Sequence, residues 1–175
     1  QMCIRDRFNP ATAVVEVVKE LERMASLAEE NLNRAMNALI TLDEEDIEEV
    51  YEVEKNINFL NHAITDYLVK INQTTLPIED LNSLGALFHV VNDIERIGDY
   101  AENISEYAEK MEADKLTFSP KAISEIQTLK ATITNLYDEV MKTYKEDTLD
   151  YIDKVNEYEE SVDRQKEEMG EHHIE

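Results

Sequence analysis

The chain has 175 residues, 40 of them acidic and 17 basic, for a formal charge of −23. Nucleic acids are bound by Lys/Arg surfaces that displace counterions from phosphate, so this charge excludes them as partners. Apolar residues make up 42%, enough for a packed core, but three glycines and three prolines allow few sharp reversals, which excludes turn-rich sheets and leaves long helices.

Residues 1–8 match no helical pattern and read as a linker or non-native lead-in, which removes the single cysteine, Cys3, from the argument. No stretch approaches the roughly 18 consecutive apolar residues of a membrane span, so the chain reads as soluble. Asn9-Pro10 is a cap followed by a first-turn proline. Beyond it Val14, Val17, Val18, Leu21, Met24, Leu27, Ala28, Leu32, Ala35, Met36 and Leu39 recur at three and four, a first helix ending near Thr41. Asp43, three residues before Asp46, is placed to cap a second helix with the stripe Ile47, Val50, Ile57, Leu60, Ile64, Leu68 and Ile71. The segment 72–77, ending in Pro77, breaks it. A third helix opens around Glu79 and carries Leu84, Leu87, Val91, Ile94, Ile97, Ala101, Ile104 and Ala108 to about Met111. Ser119-Pro120 starts a fourth, expected to end near Glu146, with a fifth running to the C-terminus.

Short links between long amphipathic helices make antiparallel neighbours, so the first three predict an up-down-up bundle over residues 9–114. A displacement of 105 residues sets Met36, Ile47, Val50, Glu54, Ile57 and Asn58 on Met141, Ile152, Val155, Glu159, Val162 and Asp163. Residues 115–175 therefore read as a second copy holding two of three helices, since the counterpart of the third would fall beyond Glu175.

The third helix carries the most informative pattern. Glu95, Asp99 and Glu102 lie at i, i+4 and i+7, so acid interrupts an apolar seam, and like charges at that spacing repel. Counting back from Asn72, Glu54 lies about 27 Å along the second helix, and counting forward from Glu79, Glu95 and Asp99 lie about 24 and 30 Å along the third. Glu54, Asn58 and His62 are thus set opposite Glu95 and Asp99, with Gly98 allowing close approach. Convergent oxygen ligands of this kind suit iron, manganese or magnesium. The competing reading has Arg34, Lys55 or Arg96 neutralising the same acids as ion pairs. There is no Glu-x-x-His motif, no phosphate loop and no nucleophile beside a base, so nothing in the sequence reads as catalytic.

The run from Val90 to Ile104, with Asp93, Glu95, Arg96, Ile97, Gly98, Asp99 and Asn103 at its centre, resembles the third-helix signature of the PhoU family, and residues 53–68 resemble its second helix. The resemblance implies an all-α fold of tandem three-helix bundles, here with the second lacking its last helix, and a non-enzymatic role in phosphate transport. Two branches are open: free-standing phosphate-signalling regulators, and cytoplasmic domains attached to sodium/phosphate cotransporters. Pro10-Ala11-Thr12-Ala13 and the wording from His89 to Ile94 resemble the second. That branch implies a membrane transporter domain in cis, N-terminal to Phe8, and a place on the cytoplasmic face of a bacterial plasma membrane; separately, the apolar face that an incomplete second bundle leaves open makes a second copy of the chain a further expected partner.

The family's metal clusters use an E(D)-x-x-x-D pattern. Glu95 and Asp99 match it, as do Glu159 and Asp163, but Glu54 is followed by Asn58 where an acid is expected, and the loss of that charge weighs against a multinuclear cluster in the first bundle. A metal-storing bundle and a structural dimerisation module are the alternatives from other functional classes.

Overall fold

The computed structural model describes the backbone of residues 9–75 and 78–172, and within α-helical segments the side chains of residues 10, 11, 78–80, 143, 147–152, 154–156, 158, 159, 161–163 and 165–172 lie outside the described set. Four helices account for nearly all of it: α1 Pro10–Thr41, α2 Glu44–Asn72, α3 Ile78–Ala113 and α4 Pro120–His172. The expected lead-in, residues 1–8, lies outside the described residues.

Local chemistry sets each boundary. The Ala13 N–H donates to the Asn9 carbonyl at 3.0 Å to open α1. At its end Leu42 takes φ 56, the left-handed conformation usually left to glycine. A leucine there is disfavoured by about 1–2 kcal/mol, and its packing on the Ala38, Ile47 and Ala108 cluster offsets that cost. Asp43 then caps α2 as its spacing predicts, accepting from the Asp46 N–H at 3.1 Å. Thr74 closes α2, its hydroxyl donating to the Ile71 carbonyl at 2.6 Å. Lys115, at φ 54, turns the chain out of α3, and the Ser119 hydroxyl accepts from the Ala122 N–H at 3.2 Å as α4 begins.

Helices α1, α2 and α3 pack on one another, up, down and up. Their register shows in two core layers, each with one residue from every helix: Ala35, Val50 and Ala101, then Ala38, Ile47 and Ala108. Numbers rise along α1 and α3 while they fall along α2, as an antiparallel middle helix requires. Leu21, Met24, Ile57, Leu68, Ile71 and Leu84 are the largest fully buried apolar side chains. Small residues on α3, namely Gly98, Ala101, Ser105 and Ala108, let α1 and α2 come close to its axis.

The break expected near Glu146 does not form: α4 runs unbroken from Pro120 to His172. No glycine or proline occurs between residues 121 and 169, so nothing in this stretch forces the backbone out of helical geometry. One helix thus stands where a two-helix second bundle is expected. The chain divides into two compact units, residues 1–137 and 138–175. Within the first, α4 lies along α1: Lys130 Nζ donates to Asn37 Oδ1 at 2.7 Å, the Thr134 hydroxyl meets Asn33 Oδ1 at 3.2 Å, and the Tyr137 hydroxyl donates to the Ala25 carbonyl. The described part of the second unit is the remainder of α4, helical through His172.

Candidate functional site

The buried face of α2 is Ile47, Val50, Glu54, Ile57, Asn61, Ile64, Leu68 and Ile71, an unbroken three-and-four seam with a carboxylate inside it. Glu54 is only 3% exposed, and neither of its carboxylate oxygens has a hydrogen-bond partner. Burying an unpaired carboxylate is costly, so this group demands an explanation.

Across the helix pair, Gly98 supplies the space. A Cβ at position 98 would lie 2.5 Å from Glu54 Oε2, 3.1 Å from Oε1 and 3.2 Å from Cδ. Sequence geometry assigns this glycine to the approach of two backbones; the structure shows that what it admits is the Glu54 carboxylate, resting over α3. Carboxylate oxygens of Glu54, Asp99 and Glu102 all lie within 4.8 Å of one another, with Glu54 buried, Glu102 half-buried and Asp99 exposed. The group therefore opens to solvent on its Asp99 side.

No cation balances these charges among the described residues. Lys55 pairs with Glu52 at 2.6 Å, Arg34 donates to Asn31 Oδ1 at 3.1 Å, and Arg96 is exposed. Burial, and then the negative charges of Asp99, Glu102 and Glu95, push the Glu54 carboxyl up to about 7. Farther along the same groove the Tyr51 hydroxyl donates to Glu109 Oε2 at 3.0 Å, and burial together with that bond and the charges of Glu109, Glu106 and Glu102 raises it to about 12. The ion-pair reading of the stripe is thus replaced by a strip of uncompensated acid between α2 and α3.

The structure brings together Glu54 and Asp99 of the expected ligands. Glu95 is half-buried and acts on Glu54 through its charge without joining the close group, and its place is taken by Glu102, one turn beyond Asp99. Which turn of α3 meets Glu54 depends on how the two helices are rotated against each other, which spacing within one helix does not reveal. Asn58 is half-buried and contributes no charge, and His62 is exposed, turned away from the seam. Of the signature residues, Gly98 is buried, whereas Asp93, Arg96 and Asn103 are exposed. Glu159 and Asp163 lie on α4, and their side chains fall outside the described set. Along with Asn61 and Ser105, another buried polar residue escapes sequence reasoning altogether, Asn31 on α1. Its signal is its position, three residues after Ala28 and four before Ala35 in the apolar stripe.

Three carboxylates, one of them the pocketed, unpaired Glu54, fit a hard divalent cation: all the donors are oxygens, and a cation would satisfy the two orphaned atoms. The fold is a helical bundle with an acidic seam, and comparison with known proteins identifies its class. The sequence model of the PhoU domain matches residues 10–108, and the chain belongs to the PhoU family. It is 27% identical over 163 residues to a protein of Pseudomonas aeruginosa named phosphate-specific transport system accessory protein PhoU homolog, and 28% identical over 163 residues to one of that name from Pseudomonas putida. These alignments span 93% of this chain but 66% and 62% of the two relatives, so the chain covers just under two thirds of their length. Among solved structures, PhoU from Pseudomonas aeruginosa superposes with a TM-score of 0.72 at 27% identity, over 87% of this chain and 73% of that one.

Proposed function

We propose that the chain is a regulatory accessory protein of phosphate transport, acting without catalysis of its own, and that its α2–α3 seam binds a divalent cation through Glu54, Asp99 and Glu102. Family membership and the names of the relatives, all phosphate-specific transport system accessory proteins, support the first part. They favour the free-standing regulator over the cotransporter domain suggested by Pro10–Ala13 and the His89–Ile94 wording. The partner in this reading is a phosphate transport system on the cytoplasmic side of the membrane. No helix among the described residues is long and apolar enough to cross a membrane.

The observation that carries the second part is Glu54, buried without a partner and aimed at two further carboxylates. A bound cation would neutralise the repulsion among the three and tie α2 to α3, making the bundle's rigidity dependent on the metal. Iron, manganese and magnesium all suit the donor set. The regulatory reading is tested by phosphate uptake in cells with and without the gene, together with affinity capture of transporter components on the tagged protein; unchanged uptake and no capture would overturn it. Titration of the metal-free protein with Mn2+, followed by electron paramagnetic resonance of the free ion, tests the site. Binding in the wild type that is lost in Glu54→Gln and Asp99→Asn is the expected result.

A further inference from the structure

Continuing the core stack one turn beyond the layer of Ala35, Val50 and Ala101 brings α1 to Asn31, α2 to Glu54 and α3 to Gly98. The next layer is therefore an amide, a carboxylate and a glycine, in a core whose other buried polar side chains, among the described residues, are Asn61 and Ser105. Asn31 is fully buried. Its Nδ2 donates to the Val50 carbonyl at 3.0 Å, and its Oδ1 accepts from Arg34 Nη1 at 3.1 Å.

The Val50 carbonyl occupies a special place. In an α-helix the carbonyl of residue 50 accepts the N–H of residue 54, and its second lone pair remains free for another donor. The Asn31 amide takes that lone pair, so α1 grips the carbonyl, one turn before Glu54, to which the Glu54 N–H is hydrogen-bonded in the helix. Left to itself, a glutamate with no partner gains by swinging its flexible side chain toward water. A directional bond to the turn that carries it holds α2 at one rotation and height against α3, which apolar packing alone specifies only loosely. From this arrangement we infer that Asn31 is a positioning residue, holding α2 so that the Glu54 carboxylate lies over Gly98 beside Asp99 and Glu102. This deepens the cation-site reading above, on which its functional meaning rests. Arg34 has a separate part: it occupies the other end of the Asn31 amide and fixes the direction in which the NH2 points.

Carboxylate labelling tests the inference without any metal. The folded, metal-free protein is treated with a carbodiimide and an amine, and the rate of amide formation at each acid is mapped by mass spectrometry. In the wild type Glu54 should react far more slowly than Asp99. Asn31→Ala removes both bonds, whereas Asn31→Asp keeps the shape and the acceptor for Arg34 but loses the donor. In both variants Glu54 should label several-fold faster while Asp99 and Glu102 keep their rates, and Mn2+ affinity should fall about tenfold, as losses behind a metal ligand commonly do. Val14→Ala, a buried α1 truncation far from the site, should loosen the bundle yet leave Glu54 protected. Protection of Glu54 in folded Asn31→Ala and Asn31→Asp would overturn the inference, and so would equal exposure in Val14→Ala, which would mark general loosening. A wild type that labels as expected but binds no Mn2+ would instead overturn the cation reading, with the labelling result still deciding the role of Asn31.

Discussion

Helices α1 to α3 and helix α4 are built from the same amphipathic material, yet they use it differently. In the bundle, Leu21, Ile57, Leu68 and Leu84 are shut away from water because every helix has two neighbours. On α4 no described side chain is fully buried, and Leu129, Leu136 and Val140 stand more than half exposed. Its bonds to α1, through Lys130, Thr134 and Tyr137, are polar. An apolar stripe is sufficient to make a helix, but burial needs a surface on more than one side, and only the bundle provides it.

The sharpest way to break this contrast is truncation in each region. Leu68→Ala should lower stability by about 2–5 kcal/mol in urea denaturation, because it removes a fully buried side chain and leaves a cavity. Leu136→Ala, at a position 65% exposed, should change it by less than about 0.5 kcal/mol. Equal losses would mean that α4 is covered in solution.

Within the bundle, Glu54 sets the polar seam apart from the apolar layers, and pH measures the difference. Its carboxyl is raised from the ordinary 4.5 to about 7, so the folded state binds the proton more tightly than the unfolded chain. Stability from this group is fully present below pH 4.5 and is lost as pH rises through about 7. Metal-free wild type should therefore lose about 3 kcal/mol relative to Glu54→Gln between pH 4.5 and 8, and saturating Mn2+ should remove the difference. Parallel pH profiles for the two proteins would show that Glu54 is solvated.

Gly98→Ala separates stability from binding. Alanine gains about 1 kcal/mol of helix propensity, and the atoms in its way are the far end of a flexible side chain, which swings out. Thermal unfolding of the metal-free variant should show no loss of stability while Mn2+ affinity falls. A large destabilisation would mean that Glu54 is rigidly held.

The smallest test returns to the two regions through their caps. Asp43→Ala should cost about 1 kcal/mol of global stability by removing the bond to the Asp46 N–H. Ser119→Ala removes the corresponding bond at α4, and its effect should appear as faster amide exchange in the first turn of α4, with little change in the global denaturation midpoint.

Much of this was legible without coordinates. The periodic apolar residues of α1, α2 and α3, the Asp43 cap and the Ser119-Pro120 start are local signals, set by backbone and side-chain chemistry within a few residues, and each appears where the pattern puts it. The break expected near Glu146 has no local signal behind it, and a helix with no glycine or proline between residues 121 and 169 runs on through that point. The site was half legible for a related reason. Glu54 and Asp99 follow from level along a hairpin, a matter of rise per residue. The choice of Glu102 over Glu95 depends on how far each helix is rotated about its axis, and the part of Asn31 depends on a third helix that hairpin geometry leaves out. Sequence by itself determined which segments are helical, that three of them pack antiparallel, and that acid enters their seam. Only the tertiary structure decided which carboxylates converge and what holds them, because rotation and height of one helix against another are set by contacts between residues far apart in the chain.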